Sequence, residues 1–204
     1  MLADDVLAYV RSALPEPPAR VLEIGAGTGE LAEALTTLGY AVVAIDPEPT
    51  GDRVHAVALH EFEDQAASFD AAVAVLSLHH VEPLDVSCER LAQLLRPGAR
   101  VVVDEFDVGR FDERAAAWWI AQRAAATGEE PHDHAVMVAE LRSHLHTIGD
   151  VRAALAPSFD VGEAVPGSYL HRWDLHPALR AVEEAEIARG RIPATGARLI
   201  ATRR

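Results

Sequence analysis

Three glycines on alternate positions, Gly25, Gly27 and Gly29, follow the apolar run Val21–Ile24, with Ala26 between the first two and Glu23 two residues ahead of them. Glycine tolerates positive φ and lets a ligand lie against bare backbone. The helix expected from Leu31, Leu35 and Leu38 would add unpaired amides and a positive dipole end. Such a turn suits a polar or anionic ligand. A second apolar run, Ala41–Ile45, ends in Asp46 and Pro47, about 20 residues beyond the first glycine, where a carboxylate can accept both hydroxyls of a ribose. Together they point to a nucleoside, although Asp-Pro also opens ordinary turns and glycine turns also serve close packing. The dinucleotide fingerprint would place a glycine at position 30. This chain has Glu30 there, which would repel a diphosphate, and Glu23 is placed to meet an ammonium group.

Glu23 with Gly25, Gly27 and Gly29 resembles the first motif of the class I S-adenosylmethionine-dependent methyltransferases of small-molecule type. Two further stretches are similar to that family: the Phe69-Asp70 pair that opens an apolar strand, and Leu94–Phe106, L-L-R-P-G-A-R-V-V-V-D-E-F. The resemblance covers residues 18–107 well and the tail in topology. It implies an α/β fold in three layers, with a seven-stranded mixed sheet in the order 3-2-1-4-5-7-6, strand 7 antiparallel and helices on both faces. It also implies S-adenosyl-L-methionine as cofactor, with S-adenosyl-L-homocysteine as product. The residues expected to hold it are Glu23, Gly25, Ala26, Gly27, Asp46 and Pro47, with Leu76 and Ser77 at the end of the fourth strand. The adenine would lie along His60, Glu61 and Phe62, where Glu61 is the nearest acid for its exocyclic amine, Glu63 and Asp64 are rivals, and an apolar side chain covers its face.

At the same strand end, His79 or His80 can serve as general base, since imidazole titrates near neutrality; either can equally cap or pack against the next helix. Asp104 and Glu105 end the fifth strand, and one of them can orient substrate or cap a helix. Tyr169, His171 and Arg172 fall near the cleft mouth as substrate contacts. Trp118 and Trp119 offer a flat apolar wall for an aromatic substrate, or plain core packing. His132, His134, His144 and His146 lack the cysteines and the helical pairing of a specific metal motif, and no metal is expected.

The elements that must position these residues follow from periodicity and breakers. Leu2, Val6, Leu7 and Val10 mark a leading helix stopped by Pro15, Pro17 and Pro18. Val54–Leu59 reads as the third strand, Ala71–Leu78 as a strand buried on both faces, Pro83–Leu95 as a helix ended by Arg96-Pro97-Gly98, and Ala99–Val103 as the fifth strand. Asp112–Thr127 reads as an alanine-rich helix stopped by Gly128. Thr147 with Asp150 reads as a capping box for a helix through Ala156. Phe159–Val165 is a sixth strand, Pro166-Gly167 a turn, Pro177–Ala188 a helix and Gly196–Thr202 a final strand. Residues 1–18 form the leading helix and linker, and residues 108–157 are where substrate specificity is expected.

The chain has 204 residues, enough for one α/β domain and too few for two. Its 32 acidic against 18 basic residues give a net charge of -14, so its field repels polyanions and nucleic acid is not an expected partner. One cysteine, Cys88, excludes an intrachain disulfide and reads as an apolar filler on a helix. The acidic N-terminus does not look like a signal peptide, and no apolar run approaches the roughly 18 residues of a membrane span. A cytoplasmic enzyme with a small-molecule substrate is expected, with a homodimer allowed. The competing readings are an NAD(P)-dependent oxidoreductase and a catalytically silent S-adenosylmethionine-binding regulatory module.

Overall fold

The computed structural model describes residues 3–128 and 133–204, so Leu2 and His132 lie outside the described residues. Strands β1 (Arg20–Ile24), β2 (Ala41–Asp46), β3 (His55–Ala56), β4 (Phe69–Val75), β5 (Leu95–Phe106), β6 (Phe159–Val161), β7 (Val165–Gly167) and β8 (Gly196–Arg203) share one sheet. Their order is β3-β2-β1-β4-β5-β8-β6, with β7 also on β8. The first five strands run parallel, and β8 is antiparallel to β5, β6 and β7. This is the expected order, with the expected sixth strand divided into β6 and β7.

Alternation along the central strands sends side chains to two helical layers. Leu22, Ile24, Ala72, Val101 and Val103 face the core under α3 (Leu84–Leu94) and α6 (Ile148–Leu155). Val21, Ala71, Val73 and Val102 face α1 (Asp4–Ala13) and α2 (Glu30–Thr37). A third cluster joins α4 (Glu113–Thr127) and α5 (His134–His144) to the end of β5 and the segment before α7 (Arg180–Ala188) through Phe106, Phe111, Trp119 and Tyr169.

Several boundaries differ from the sequence reading. The third strand is only two residues long, because it pairs only with Ile45 and Asp46 at the very end of β2. β4 stops at Val75 because Leu76 takes φ +54 and turns the chain into a 3-10 turn at Leu78–His80. β5 runs much further than Ala99–Val103 because β4 and β8 pair on its two sides. Pro166-Gly167 forms part of β7 rather than a turn, in a three-residue strand where a proline without an N–H is tolerated. Helix α5, which periodicity did not announce, is capped by Asp133, whose carboxylate accepts from Ala135 and Val136 amides. The capping box of Thr147 and Asp150 is present on α6. Pro177–Leu179 is a 3-10 turn leading into α7.

Candidate functional site

β1 brings Glu23 near the carboxyl end of the sheet, between β2 and β4, and breaks at Gly25 (φ +69), whose amide donates to the Ile45 carbonyl at 2.9 Å while that of Ala26 donates to the same oxygen at 3.0 Å. A Cβ on Gly25 would stand 2.3 Å from Ser77 Cβ, so the loop after β4 packs directly on this turn. At Gly27 (φ +52) an added Cβ would meet nothing within 4 Å, leaving bare backbone open. The Gly27 amide donates to Asp46 Oδ2 at 2.9 Å and the Glu48 amide to Oδ1 at 2.8 Å. A carboxylate offers about four lone-pair positions, so Asp46 keeps acceptor capacity.

Two cavities meet at Gly25 and Leu76. The larger, about 820 Å³, is walled by Glu23, the turn from Gly25 to Thr28, Glu30, Leu31, Val75 and Leu76, by residues 3–6 of the leading helix, and by His171, Arg172, Leu175, Pro177 and Arg180. The smaller, about 460 Å³, is walled by Ile24, Ile45, Asp46–Glu48, Val57–His60, Ser77 and His80–Glu82. Both sizes suit small ligands. Leu76, a non-glycine residue in the left-handed region, divides them. Its strain, of order 1–3 kcal/mol, is the kind that persists where the surroundings over-determine the backbone.

Glu23 is 4% exposed and its Oε2 has no hydrogen-bond partner. Burial pushes its carboxyl up to about 8, against an opposing hydrogen bond from the Ala32 backbone. A buried carboxyl oxygen left without a partner is costly unless a ligand completes it. The bare backbone at Gly27, the unmatched Glu23 and the acceptor left on Asp46 therefore fit a phosphate-free nucleoside that carries an ammonium group.

A family model described as a methyltransferase domain matches residues 2–149. The chain belongs to this methyltransferase-domain family. Among curated proteins it is similar to the ubiquinone biosynthesis O-methyltransferase of Xanthomonas axonopodis pv. citri (strain 306), at 34% identity over 112 residues, covering 47% of this chain and 46% of that protein. The chain spans about half the length of the curated relatives it matches. In fold it is similar to an S-adenosylmethionine-dependent methyltransferase from Mesorhizobium loti, with a TM-score of 0.63, 20% identity and coverage of 98% and 96% of the two chains. It also resembles the Burkholderia thailandensis 1,6-didemethyltoxoflavin-N1-methyltransferase solved with S-adenosylhomocysteine, with a TM-score of 0.56, 20% identity and coverage of 98% and 77%.

Within this methyltransferase domain the cavity walls gather Glu23, Gly25, Ala26, Gly27, Asp46, Pro47, His60, Leu76, Ser77, His80 and His171. Other expected site residues line neither cavity. Glu61 is exposed on the turn beyond Leu59, and Phe62 is buried in the core with its ring centroid 6.4 Å from that of Phe69. Trp118 packs on the third aromatic cluster, where Trp119 donates from Nε1 to the Trp173 carbonyl at 2.8 Å. Tyr169 stacks on Phe106, with centroids 4.8 Å apart. Glu105 is buried, with Oε1 accepting the amides of Ser77 at 2.9 Å and Leu78 at 2.6 Å and Oε2 paired with His79 Nδ1. His79 is buried with it, so this carboxylate and ring fix the loop after β4 instead of facing a ligand.

His80 lines the smaller cavity, where burial and then the charge of His79 hold it below the ordinary imidazole value. Asp104 is buried and paired with Arg172 Nη2 at 2.7 Å and Arg198 Nε at 2.6 Å. No described residue of 108–157 lines either cavity; the larger one is closed by α1 and by residues 171–180. Sequence reasoning placed His171 and Arg172 near the cleft mouth, but it did not single out Leu175, Pro177 and Arg180 beside them, and it missed Glu183. The available signal was a repeated local pattern, Ser77-Leu78-His79 and Tyr169-Leu170-His171.

Of the histidine-rich segment, the described members have other partners: His134 lies 3.8 Å from Glu113, His144 contacts the Glu140 carbonyl, and His146 contacts the Val81 carbonyl and Glu82. Cys88 is buried on α3, its thiol pushed up to about 12 by burial and by Asp85.

Proposed function

We propose that the chain transfers a methyl group from S-adenosylmethionine to a small-molecule acceptor. The observation that carries this reading is the buried Glu23 carboxyl, with its Oε2 unmatched, on one side of Gly25 and Asp46 on the other side. On this reading Glu23 receives the cofactor's ammonium group, the open backbone at Gly27 lies under it, and Asp46 receives the ribose hydroxyls. Pro47, Leu59, His60 and Val81 form the walls of the adenine end, with Ser77 and Leu76 between the two halves. When bound, the cofactor supplies a methyl already activated by sulfonium, so the protein's task is mainly alignment of the nucleophile. The name of the curated relatives favours an oxygen acceptor, and the net charge of -14 disfavours a polyanion. The lone buried thiol suits a reducing compartment, and we place the protein in the cytoplasm.

Calorimetry with S-adenosylhomocysteine and with NAD tests the reading. Binding of the first in the micromolar range, without binding of the second, is the expected result. The reverse would establish the oxidoreductase alternative. Mass spectrometry of ligand retained through purification checks the same point independently.

A further inference from the structure

Two 3-10 turns from distant parts of the chain share one arrangement. Ser77 and Tyr169, which precede them, have nearly the same backbone, with φ -132 and ψ -43 in the first and φ -142 and ψ -39 in the second. In each, a buried glutamate from another element receives the two amides that open the turn and then the histidine Nδ1. Glu105 does so for Ser77, Leu78 and His79. Glu183 does so for Tyr169 at 2.7 Å and Leu170 at 2.9 Å through Oε1, and for the amide of His171 at 2.9 Å and its Nδ1 at 2.7 Å through Oε2.

The two copies differ in what the ring faces. His79 lines neither cavity, whereas His171 is in the wall of the larger one, the cavity that also holds Glu23. Its Nε2 bonds no described residue. Glu183 on Nδ1 fixes the tautomer in which Nε2 carries the lone pair. The neighbouring Arg172 is paired with Asp104, and the charged group hydrogen-bonded to the ring is the Glu183 carboxylate. Burial raises that carboxyl, but the His171 ring and the three amides outweigh it and hold it below its ordinary value.

We propose that His171, oriented by Glu183, is the general base that takes the proton from an acceptor hydroxyl of phenolic or enolic type during methyl transfer. The inference rests on the methyltransferase reading above. A neutral amine already has a nucleophilic lone pair, while a neutral hydroxyl attacks well only as it loses its proton, so an installed base matches the second. His171 Nε2 receives that proton. The oxygen's electron pair forms the bond to the methyl carbon as the S–CH3 bond breaks toward sulfur. The positive charge brought in on sulfonium therefore ends on the imidazolium, beside Glu183. Leu31, Val75, Leu76 and Leu175 in the same wall suit the apolar body of such an acceptor.

The test compares the wild-type protein with His171→Asn and Glu183→Gln. Asparagine keeps a donor near the Nδ1 position for Glu183 and removes Nε2, so it spares the buried carboxylate. First, long-range proton–nitrogen spectra of the wild type in mildly alkaline buffer should show neutral His171 protonated on Nδ1, and Glu183→Gln should shift the proton toward Nε2. A wild-type proton on Nε2 overturns the proposal. Second, rates are measured over a panel of phenols, catechols and enols of graded acidity. His171→Asn should lose roughly 10²–10⁴-fold in kcat on weakly acidic members, with KM little changed. On nitrocatechol, which ionises unaided, the loss should be much smaller. Equal losses across the panel, or no loss, overturn the base assignment. A wild-type protein that binds S-adenosylhomocysteine but methylates no hydroxyl of the panel overturns the acceptor class. Failure to bind S-adenosylhomocysteine overturns the methyltransferase reading itself.

Discussion

Glu23 couples ligand binding to protons. Its carboxyl is raised from 4.5 to about 8 by burial, so the folded, ligand-free protein holds a proton that the unfolded chain has released. The stability tied to that proton is complete below about pH 4.5 and is lost as pH rises toward about 8. Glu23→Gln should therefore flatten this part of the stability profile, as read by denaturant titration across the range. An ammonium-bearing ligand needs the carboxylate, so binding of S-adenosylhomocysteine below about pH 8 should release a proton. Its calorimetric enthalpy should then vary with buffer ionisation heat in the wild type and not in Glu23→Gln. An enthalpy independent of buffer in the wild type would remove Glu23 from the ligand. At Asp46 the expected loss is simpler: Asp46→Ala should weaken cofactor binding by roughly 1.5–3 kcal/mol, the worth of hydrogen bonds to a charged group. Unchanged affinity would place the ribose elsewhere.

At the scale of elements, the turn between β1 and α2 was legible because glycine types and their spacing carry their own steric reason. The chain-reversing Leu76 was not legible, since nothing local to a leucine announces a left-handed backbone, and β4 therefore looked longer than it is. Phe62 and Trp118 show the same limit from another side. An aromatic residue reads alike whether it faces a ligand or a core, and only packing against Phe69 or the third cluster decides. The two inner glycines give this scale its prediction. Gly25→Ala puts a methyl 2.3 Å from Ser77 Cβ, so it should lower the thermal midpoint and loosen the loop after β4 together. Gly27→Ala meets no atom within 4 Å and should cost the fold only about 1–2 kcal/mol for its backbone, yet occupy the bare backbone under the ligand. Melts with and without S-adenosylhomocysteine separate them: Gly27→Ala should lose most of the ligand-induced stabilisation. Full stabilisation in that variant would show that the ligand does not approach Gly27.

At the scale of the whole molecule, the sheet order followed from the resemblance of a few motifs, but the closure of the larger cavity did not. It depends on where residues far apart in sequence meet: His171 and Arg172 were expected near the cleft mouth, but nothing local to Leu175, Pro177 or Arg180 announces that they meet α1 there. Ion pairs link α1, α7 and β8 at this closure. Asp5 on α1 pairs with Arg180 of α7 at 3.2 Å and Arg198 of β8 at 2.8 Å, and Arg198 continues to Asp104. Burial raises the Asp5 carboxyl, but the Arg198 hydrogen bond and the nearby guanidinium charges win and hold it below its ordinary value. The two Asp5 pairs are partly exposed, and such pairs contribute only about 0.2–1 kcal/mol each. α1 is seated chiefly by buried Val6, Val10 and Ala13 and by the Tyr9 hydroxyl donating to the Leu199 carbonyl at 3.0 Å. Asp5→Asn should therefore leave the thermal midpoint almost unchanged. Because residues 3–6 wall the cavity, the variant should instead release bound S-adenosylhomocysteine a few-fold faster and exchange the first-turn amides of α1 more quickly. Added salt should reproduce both effects in the wild type and change little in Asp5→Asn, since screening acts on the same pairs. Equal dissociation rates in the two proteins at low salt would show that α1 holds its place over the cavity without them.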